Sequence, residues 1–165
     1  MKTLYFIRHA KSSWEDSSLD DIERPLNKRG ERDAPLMATR LQGLGVVPDQ
    51  IVSSPATRAL TTAHYFADAL GIDPDTIHID ERIYLVEVRG LLQVIREWPA
   101  EWNTVLLFGH NPTITDFSNL HNQGRIDNVP TCGICKFEGV IPSWSDWSEH
   151  RVRLTKFMYP KEYLV

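Results

Sequence analysis

The chain has 165 residues, of which 42% are hydrophobic and 24% charged, and its net charge is −4 at pH 7. This length suits one domain that buries a core without disulfides or structural metals, so we predict a single domain over residues 1–165. The acidic balance argues against a nucleic-acid-binding protein, and no apolar run is long enough to cross a bilayer. The first residues enter a strand directly, without a signal-peptide pattern, so we expect a cytoplasmic protein.

Short apolar runs alternate with longer amphipathic ones, and this order predicts an α/β protein with helices on the faces of its sheet. In chain order we predict a strand at 3–7, a helix at 28–44, a strand at 50–53, a helix at 56–70, a strand at 76–79, a helix at 88–97, a strand at 104–108, a helix at 113–120, and strands at 132–137 and 151–156. The Trp-rich stretch 142–147 fits a loop or a hairpin connection.

The first two predicted helices carry more specific expectations. Helical spacing places four side chains on the buried face of the first helix: Leu36, Met37, Leu41 and Leu44. For the second helix we expect Ser54 as the N-cap and Pro55 at the first helical position.

Cys132 and Cys135 are the only cysteines of the chain. Their spacing fits either a redox or zinc half-site or two small apolar residues of a strand. A zinc site needs a second pair of ligands, and no such motif is present in the sequence. In a strand, a three-residue offset points the two side chains to opposite faces, so we favour the packing interpretation.

Four basic side chains follow the carboxyl ends of predicted strands. Arg8 and His9 close the first strand. Arg58 comes shortly after the second, and His110 follows the strand at 104–108. Each alone is typical of a surface or core residue, but ligands bind at strand ends in open α/β sheets, so together they indicate a site. Arg58 also falls in the first turn of a helix, where an anion is favoured. The four predict a pocket that holds a phosphoryl group while a histidine attacks it.

The other histidines lack such a setting, so we interpret them as structural: His64, His78, His121 and His150. Other phosphatase and hydrolase designs do not fit the sequence. A cysteine phosphatase needs an arginine six residues after its cysteine, where this chain has Glu138 and Ile141. The sequence has no GxxxxGKS/T loop, no GxSxG elbow and no ligand spacing typical of a two-metal site. We therefore expect neither a metal nor a cofactor.

Four blocks of the sequence resemble the histidine phosphatase superfamily. Residues 4–10 (LYFIRHA) are similar to its Arg-His signature, with Ala10 where many members have glycine. Residues 24–30 (RPLNKRG), 53–59 (SSPATRA) and 109–112 (GHNP) resemble its next three segments. Larger members carry insertions before the second histidine. The compact gap between Arg58 and His110, with RHAKSSW at the start, resembles the SixA-type phosphohistidine phosphatases.

The resemblance implies a three-layer α/β/α sandwich with a mostly parallel central sheet. It also implies His9 as the nucleophile, with Arg8, Arg58 and His110 around the phosphate. A neutral imidazole is a competent nucleophile, and arginines can grip phosphoryl oxygens through paired N–H groups without a metal. We therefore expect a metal-independent phosphatase that forms a covalent phosphohistidine intermediate.

The leaving group favours one class of substrate. Larger relatives supply an acidic residue from the inserted region, whereas a phosphohistidine releases an imidazole of pKa about 6.5, which needs less help than an alkoxide. We expect phosphohistidine in a signalling protein, such as a histidine phosphotransfer domain, as the substrate. A small phosphorylated metabolite, or a catalytically weak phosphate-binding module, are the alternatives. Asp16, Asp20 and Glu87 are candidate general acids, or else solvated loop carboxylates.

Three residues close to the Arg8-His9 pair carry weaker expectations. Arg24 and Lys11 either extend the positive field toward a phosphoprotein or balance the acidic stretch at 15–23. Trp14, in an otherwise polar loop, packs either over the pocket mouth or against the protein surface.

Overall fold

The computed structural model describes residues 1–164. Val165, the last residue of the predicted domain, lies outside the described residues. The strands are β1 (Lys2–Arg8), β2 (Gln50–Ser53), β3 (His78–Ile79), β4 (Thr104–Gly109), β5 (Ile134–Gly139) and β6 (Val152–Met158). The helices are α1 (Lys28–Gly43), α2 (Thr57–Leu70), α3 (Val88–Arg96) and α4 (Thr113–Leu120). Short 3₁₀ turns occur at Asp21–Glu23, Pro74–Thr76, Glu81–Ile83, Trp144–Asp146 and Pro160–Glu162.

The six strands form one sheet in the order β3-β2-β4-β1-β5-β6. The first four strands of this order run parallel to one another. β5 is antiparallel to β1, and β6 is antiparallel to β5, so β6 points the same way as β1. The predicted mostly parallel sheet is confirmed, and the carboxyl ends of β2, β4 and β1 lie next to one another.

Helices cover both faces of the sheet. On one face, residues of α3 and α4 pack with Leu4 and Phe6 of β1. On the other face, residues of α1 and α2 pack with Tyr5 and Ile7 of the same strand. Successive side chains of a strand point to opposite faces, so β1 is buried on both sides, which explains its continuous apolar sequence. The three-layer sandwich is confirmed.

The buried face of α1 differs from the prediction. Met37 and Leu41 are fully buried, but Leu36 is half-buried and Leu44 is 43% exposed. Ala34 and Ala38 complete the buried face at helical spacing instead. Both alanines pack in the core cluster that also contains residues of α2. Alanine carries a weak hydrophobic signal, so the sequence pattern did not reveal this face.

The start of α2 also differs. The helix begins at Thr57, and its N-cap is Ala56, whose side chain makes no capping hydrogen bond. Pro55 therefore precedes the helix, and Ser54 Oγ accepts a hydrogen bond from the Ala56 N–H at 3.2 Å instead of capping. The predicted strand at 76–79 is shortened to two residues, because the Asp73 side chain caps the 3₁₀ turn that contains residue 76.

Both cysteine thiols are free and buried. Cys132 precedes β5 and has a positive φ of 61°, so it is not a strand residue as predicted. It packs with α1 and α2, whereas Cys135 packs in the core on the opposite face of the sheet. Burial raises the pKa of the Cys135 thiol to about 12. These positions agree with the packing interpretation.

The Trp-rich stretch connects the antiparallel strands β5 and β6 and closes one end of the core. Trp144 and Trp147 are fully buried, with their rings stacked at a centroid distance of 5.8 Å. Trp147 Nε1 donates to His121 Nε2 at 2.9 Å, and His121 Nδ1 lies 2.8 Å from the Phe117 carbonyl. His121 therefore has both ring nitrogens satisfied in the core. Within residues 1–164, no helix combines the length and the apolar character needed to span a membrane.

Candidate active site

Three segments meet where β1, β4 and β2 end. The His9 backbone N–H donates to the Gly109 carbonyl at 3.1 Å, which ties the loop after β1 to the loop after β4. The rings of His9 and His110 lie 5.3 Å apart between centroids. His9, Arg58 and His110 line one cavity of about 620 Å³. The structure thus brings together side chains that are far apart in the sequence, as their positions at strand ends predicted.

His9 is buried, with 7% of its surface exposed, and its ring orientation is set by the backbone. Its Nδ1 lies 2.7 Å from the Ala10 carbonyl oxygen. Because a carbonyl only accepts hydrogen bonds, Nδ1 carries the proton and Nε2 keeps its lone pair. Burial lowers the pKa of His9 to about 3, and the charges of His110, Arg58 and Arg8 add to this effect against the opposing Ala10 hydrogen bond. The imidazole is therefore neutral at pH 7.

The backbone around His9 is bonded to α2 and to the chain before β5. The Ala10 N–H donates to Thr62 Oγ1 at 3.0 Å, and the Thr62 hydroxyl donates to the Arg58 carbonyl at 2.7 Å. The Cys132 N–H donates to the carbonyls of Arg8 and His9. These bonds fix the position of the histidine relative to Arg58, so the ring does not depend on a mobile loop for its placement.

Arg58 is buried in the first turn of α2, and its guanidinium is held by Asp21. Nη1 donates to the Asp21 carbonyl at 2.7 Å, and Nη2 donates to Asp21 Oδ2 at 3.0 Å. Tyr84 Oη donates to the same carboxylate oxygen at 2.5 Å. The hydrogen bonds from Tyr84 and then Arg58 hold the pKa of Asp21 below its usual range. Asp21 therefore fixes the orientation of the Arg58 guanidinium, and Arg58 lines the cavity whereas Asp21 does not.

Arg8 approaches the site from the end of β1. Its Nη1 donates to the Val129 carbonyl at 2.8 Å, and its buried Nε–H has no hydrogen-bond partner among residues 1–164. Burial, followed by the neighbouring charge of Arg58, lowers the pKa of Arg8. Arg8 is not among the residues that line the cavity. A bound anion near Arg8 and Arg58 would offset their mutual repulsion and could accept the free Nε–H of Arg8.

His110 lies opposite His9. Its Nε2 is 2.7 Å from Ser54 Oγ, the hydroxyl that was expected to cap α2. Burial lowers the pKa of His110 to about 4, and the charges of Arg58 and Arg8 outweigh the opposing effect of Asp21. A bound dianion would act in the opposite direction and favour the protonated, doubly donating form of this ring.

Arg24 and Trp14 form a stacked pair outside the cavity. The Arg24 guanidinium is buried and donates to Ser12 Oγ, and it lies 3.6 Å from Asp21 Oδ1. The Trp14 ring covers this guanidinium at 3.4 Å, with 73% of the residue exposed. Lys11 accepts a hydrogen bond from the Asn27 N–H through its carbonyl. None of these three side chains lines the cavity.

The three candidate acids occupy different positions. Glu87 lines the cavity with His9 and His110. Asp16 and Asp20 are exposed and do not line it. Asp16 instead accepts hydrogen bonds from the backbone N–H and the hydroxyl of Ser18, which lower its pKa. Glu87 is thus the one carboxylate of the three that the fold brings to the cavity.

Sequence reasoning missed Asp21, Ser54 and Tyr84 as parts of the site. The rings of Tyr84 and His110 form a T-shaped pair with centroids 5.6 Å apart, and the Tyr84 hydroxyl donates to Asp21. The position of Asp21, three residues before Arg24, did not distinguish it from the other acidic residues of the stretch at 15–23. Among the residues that the structure describes, no three His, Cys, Asp or Glu side chains are grouped so that they could hold a metal ion.

Comparison with known proteins identifies the family. Residues 4–104 match the family described as the histidine phosphatase superfamily, branch 1, a match that includes Arg8, His9 and Arg58. An uncharacterized chloroplastic protein of Arabidopsis thaliana is 30% identical over 153 residues, which cover 88% of this chain and 70% of the relative.

Solved structures show the same fold. The structure of a protein assigned as the phosphohistidine phosphatase SixA of Agrobacterium tumefaciens is 28% identical, with a TM-score of 0.80 over 96% of this chain and 98% of the other. The protein histidine phosphatase SixA in complex with tungstate has a TM-score of 0.81 at 20% identity, over 97% and 98% of the two chains. This similarity and the match to the family support phosphatase activity. The chain therefore belongs to the histidine phosphatase superfamily, and its fold is similar to that of the SixA proteins.

Proposed function

We propose that this chain is a metal-independent phosphatase in which His9 forms a covalent phosphohistidine, and that its substrate is a phosphohistidine of a signalling protein. The observation that carries the proposal is the state of His9. Its Nδ1–H is bound to the Ala10 carbonyl, its ring is neutral, and it faces a cavity that it shares with Arg58 and His110. A module that only bound phosphate would have no use for such a nitrogen.

In the first step, the Nε2 lone pair of His9 attacks phosphorus in line with the leaving group. A new P–N bond forms to His9 as the bond between phosphorus and the substrate imidazole breaks. Arg8 and Arg58 hold the equatorial oxygens, and His110 donates a further hydrogen bond, so the charge that develops is met by fixed donors. The Nδ1–H to Ala10 stays in place and stabilises the positive charge on the phosphorylated ring.

In the second step, water attacks the phosphorus on His9. The new P–O bond forms, the P–N bond breaks, and its electron pair returns to Nε2. The protons of the water remain with the phosphate or pass to solvent, so inorganic phosphate leaves and the enzyme regains its starting state. The positive charges of both arginines supply the electrostatic stabilisation that a metal supplies in other phosphatases.

The leaving group supports phosphohistidine over a phosphate ester. A phosphohistidine whose distal nitrogen is protonated releases a neutral imidazole, so no acid from the enzyme is needed. Asp16 and Asp20 lie away from the cavity, whereas Glu87 and Asp116 line it. The names of the two SixA proteins, which describe phosphohistidine or protein histidine phosphatases, point to the same substrate class.

One observation favours a second candidate function, a phosphatase of a small metabolite. Glu87 lines the cavity beside His110 and could protonate a departing alkoxide. In that case the charge-neutral variant Glu87→Gln would lower kcat on the ester strongly. With phosphohistidine as the substrate, the same variant changes kcat little.

The deciding experiment measures phosphate release from a phosphohistidine peptide and from a panel of sugar and nucleotide monophosphates, in the presence of a chelator. We expect the unmodified protein to prefer the peptide. In His9→Ala we expect both turnover and the ³²P-labelled enzyme to be lost. His64→Ala, an exposed histidine outside the cavity, is the matched control. Full activity in His9→Ala contradicts the covalent mechanism, and a requirement for a divalent metal contradicts metal independence.

A further inference from the structure

A second cavity, of about 520 Å³, lies between the first turn of α1, the loop between α4 and β5, and the end of β6. We refer to it as the basic groove, and its lining consists of Arg29, Arg125, Ile126, Asp127, Asn128, Pro130, Phe157, Tyr159, Pro160 and Lys161. Its floor is apolar: the rings of Phe157 and Tyr159 lie 5.2 Å apart, next to Ile126 and two prolines. The floor suits an apolar side chain.

The edges of the groove carry positive charge. Arg29, Arg125 and Lys161 are exposed, and Arg29 Nε lies 3.6 Å from Oδ2 of the buried Asp33. Among residues 1–164, Asp127 is the single acidic residue in the lining. Arg125 and Asp127 are 3.8 Å apart, but both side chains are more than four-fifths exposed, so water weakens this ion pair. The chain as a whole has a net charge of −4, so this concentration of cations is local.

The basic groove and the candidate active site share one loop. The Val129 carbonyl accepts from Arg8 Nη1, and Asn128 Oδ1 accepts from Asn111 Nδ2 at 2.9 Å. Residues 125–128 and Pro130 of the same loop line the groove. The groove also lies at the carboxyl end of β6, which points the same way as β1, so both cavities open at one end of the sheet. A segment that occupies the groove lies beside the entrance to the site.

We propose that the basic groove docks an acidic segment of the phosphoprotein substrate, with an apolar side chain of that segment on the Phe157–Tyr159 floor. This inference rests on the proposed function. A small phosphorylated ligand calls for convergent, buried donors, whereas the three cations here are exposed and stand around an apolar floor. That arrangement matches a peptide that carries both carboxylates and an apolar side chain, since exposed charges guide association and select between partners.

The test compares two phosphohistidine peptides that differ only in flanking residues, glutamate in one and glutamine in the other. We expect kcat/KM to be about tenfold higher for the glutamate peptide at low salt, and this preference to shrink as salt is added. The double variant Arg125→Gln/Lys161→Gln should lose the preference through KM while it hydrolyses free phosphohistidine at the normal rate. The matched control Arg151→Gln/Arg153→Gln removes two exposed charges elsewhere and should keep it.

Equal hydrolysis of the two peptides by the unmodified protein overturns the docking proposal, as does a preference that survives in the groove variant. If the unmodified protein dimerises and the groove variant does not, the docking proposal is also overturned, because a second copy of the chain would then occupy the groove. Failure to hydrolyse either peptide would instead refute the proposed substrate. In that event, the groove is still tested on its own by the binding of the unphosphorylated glutamate peptide, measured by fluorescence anisotropy.

Discussion

Removal of the Asp21 charge tests how the site positions Arg58. In Asp21→Asn the backbone carbonyl still accepts from Nη1, but Nη2 loses its ion pair at 3.0 Å and donates to an uncharged amide oxygen. The hydrogen bond from the Tyr84 hydroxyl loses its charged acceptor and becomes a neutral one. Hydrogen bonds to charged groups contribute about 1.5–3 kcal/mol, and neutral ones about 0.5–1.5. The guanidinium is therefore held less firmly in the orientation that meets the phosphoryl oxygens.

A second effect opposes this one. The Asp21 carboxylate also repels a phosphate dianion, and its removal strengthens the positive field at the site. The carboxylate is 47% exposed, so solvent screens the repulsion to less than about 1 kcal/mol. Loss of orientation is the larger effect, at about 1–2 kcal/mol, which corresponds to a decrease in kcat/KM of roughly five- to thirtyfold.

The assay is single-turnover phosphate release from a phosphohistidine peptide, together with the inhibition constant of tungstate and the midpoint of urea unfolding. We expect kcat/KM to fall by this factor while the unfolding midpoint moves little. Glu23→Gln is the matched control, because it neutralises a carboxylate in the same 3₁₀ turn and retains the hydrogen bond from the Asp20 N–H. An Asp21→Asn enzyme that is as fast as the unmodified protein, or faster, would refute the positioning role.

Two further predictions concern stability. His9 and His110 have pKa values of about 3 and 4 in the fold and about 6.5 in the unfolded chain, so below pH 6.5 the unfolded chain binds more protons. The free energy of unfolding, measured by urea titration, should therefore fall by about 3 kcal/mol between pH 7.5 and 5.5. A pH-independent free energy of unfolding would contradict the burial of both histidines as neutral rings. Gly30→Ala places a Cβ against the Lys11 carbonyl and should destabilise the fold by about 1–3 kcal/mol. A Cβ at Gly43 meets no atom of residues 1–164 within 4 Å, so Gly43→Ala should stabilise the fold by about 0.5–1 kcal/mol in thermal denaturation. Equal effects of the two substitutions would show that the contact at Lys11 relaxes freely.

The positions of the four basic side chains could be predicted because they depend on local pattern. A strand that is buried on both faces is continuously apolar, so its end is visible in the sequence, and Arg8, His9 and His110 follow such ends directly. Arg58 follows a shorter strand by a few residues. Parallel order in the sheet then brings these ends together.

The errors have equally physical causes. Hydrophobic spacing predicted Leu44 on the buried face of α1 and did not predict Ala34. In the structure Ala34 is fully buried and Leu44 is 43% exposed, because close packing in the core admits the small side chain. Ser54 has the composition of an N-cap, yet its hydroxyl bonds His110, a residue 56 positions away in sequence. Such long-range partners leave no local pattern in the sequence.

The α/β order of the elements, the superfamily and the basic residues at the strand ends follow from the amino-acid sequence alone. Four properties become visible only in the folded chain: His9 presents Nε2, its ring is neutral, Asp21 holds Arg58, and Glu87 rather than Asp16 reaches the cavity. These properties depend on burial and on hydrogen bonds between distant segments, because desolvation and neighbouring charges set a pKa and the available acceptor sets a tautomer.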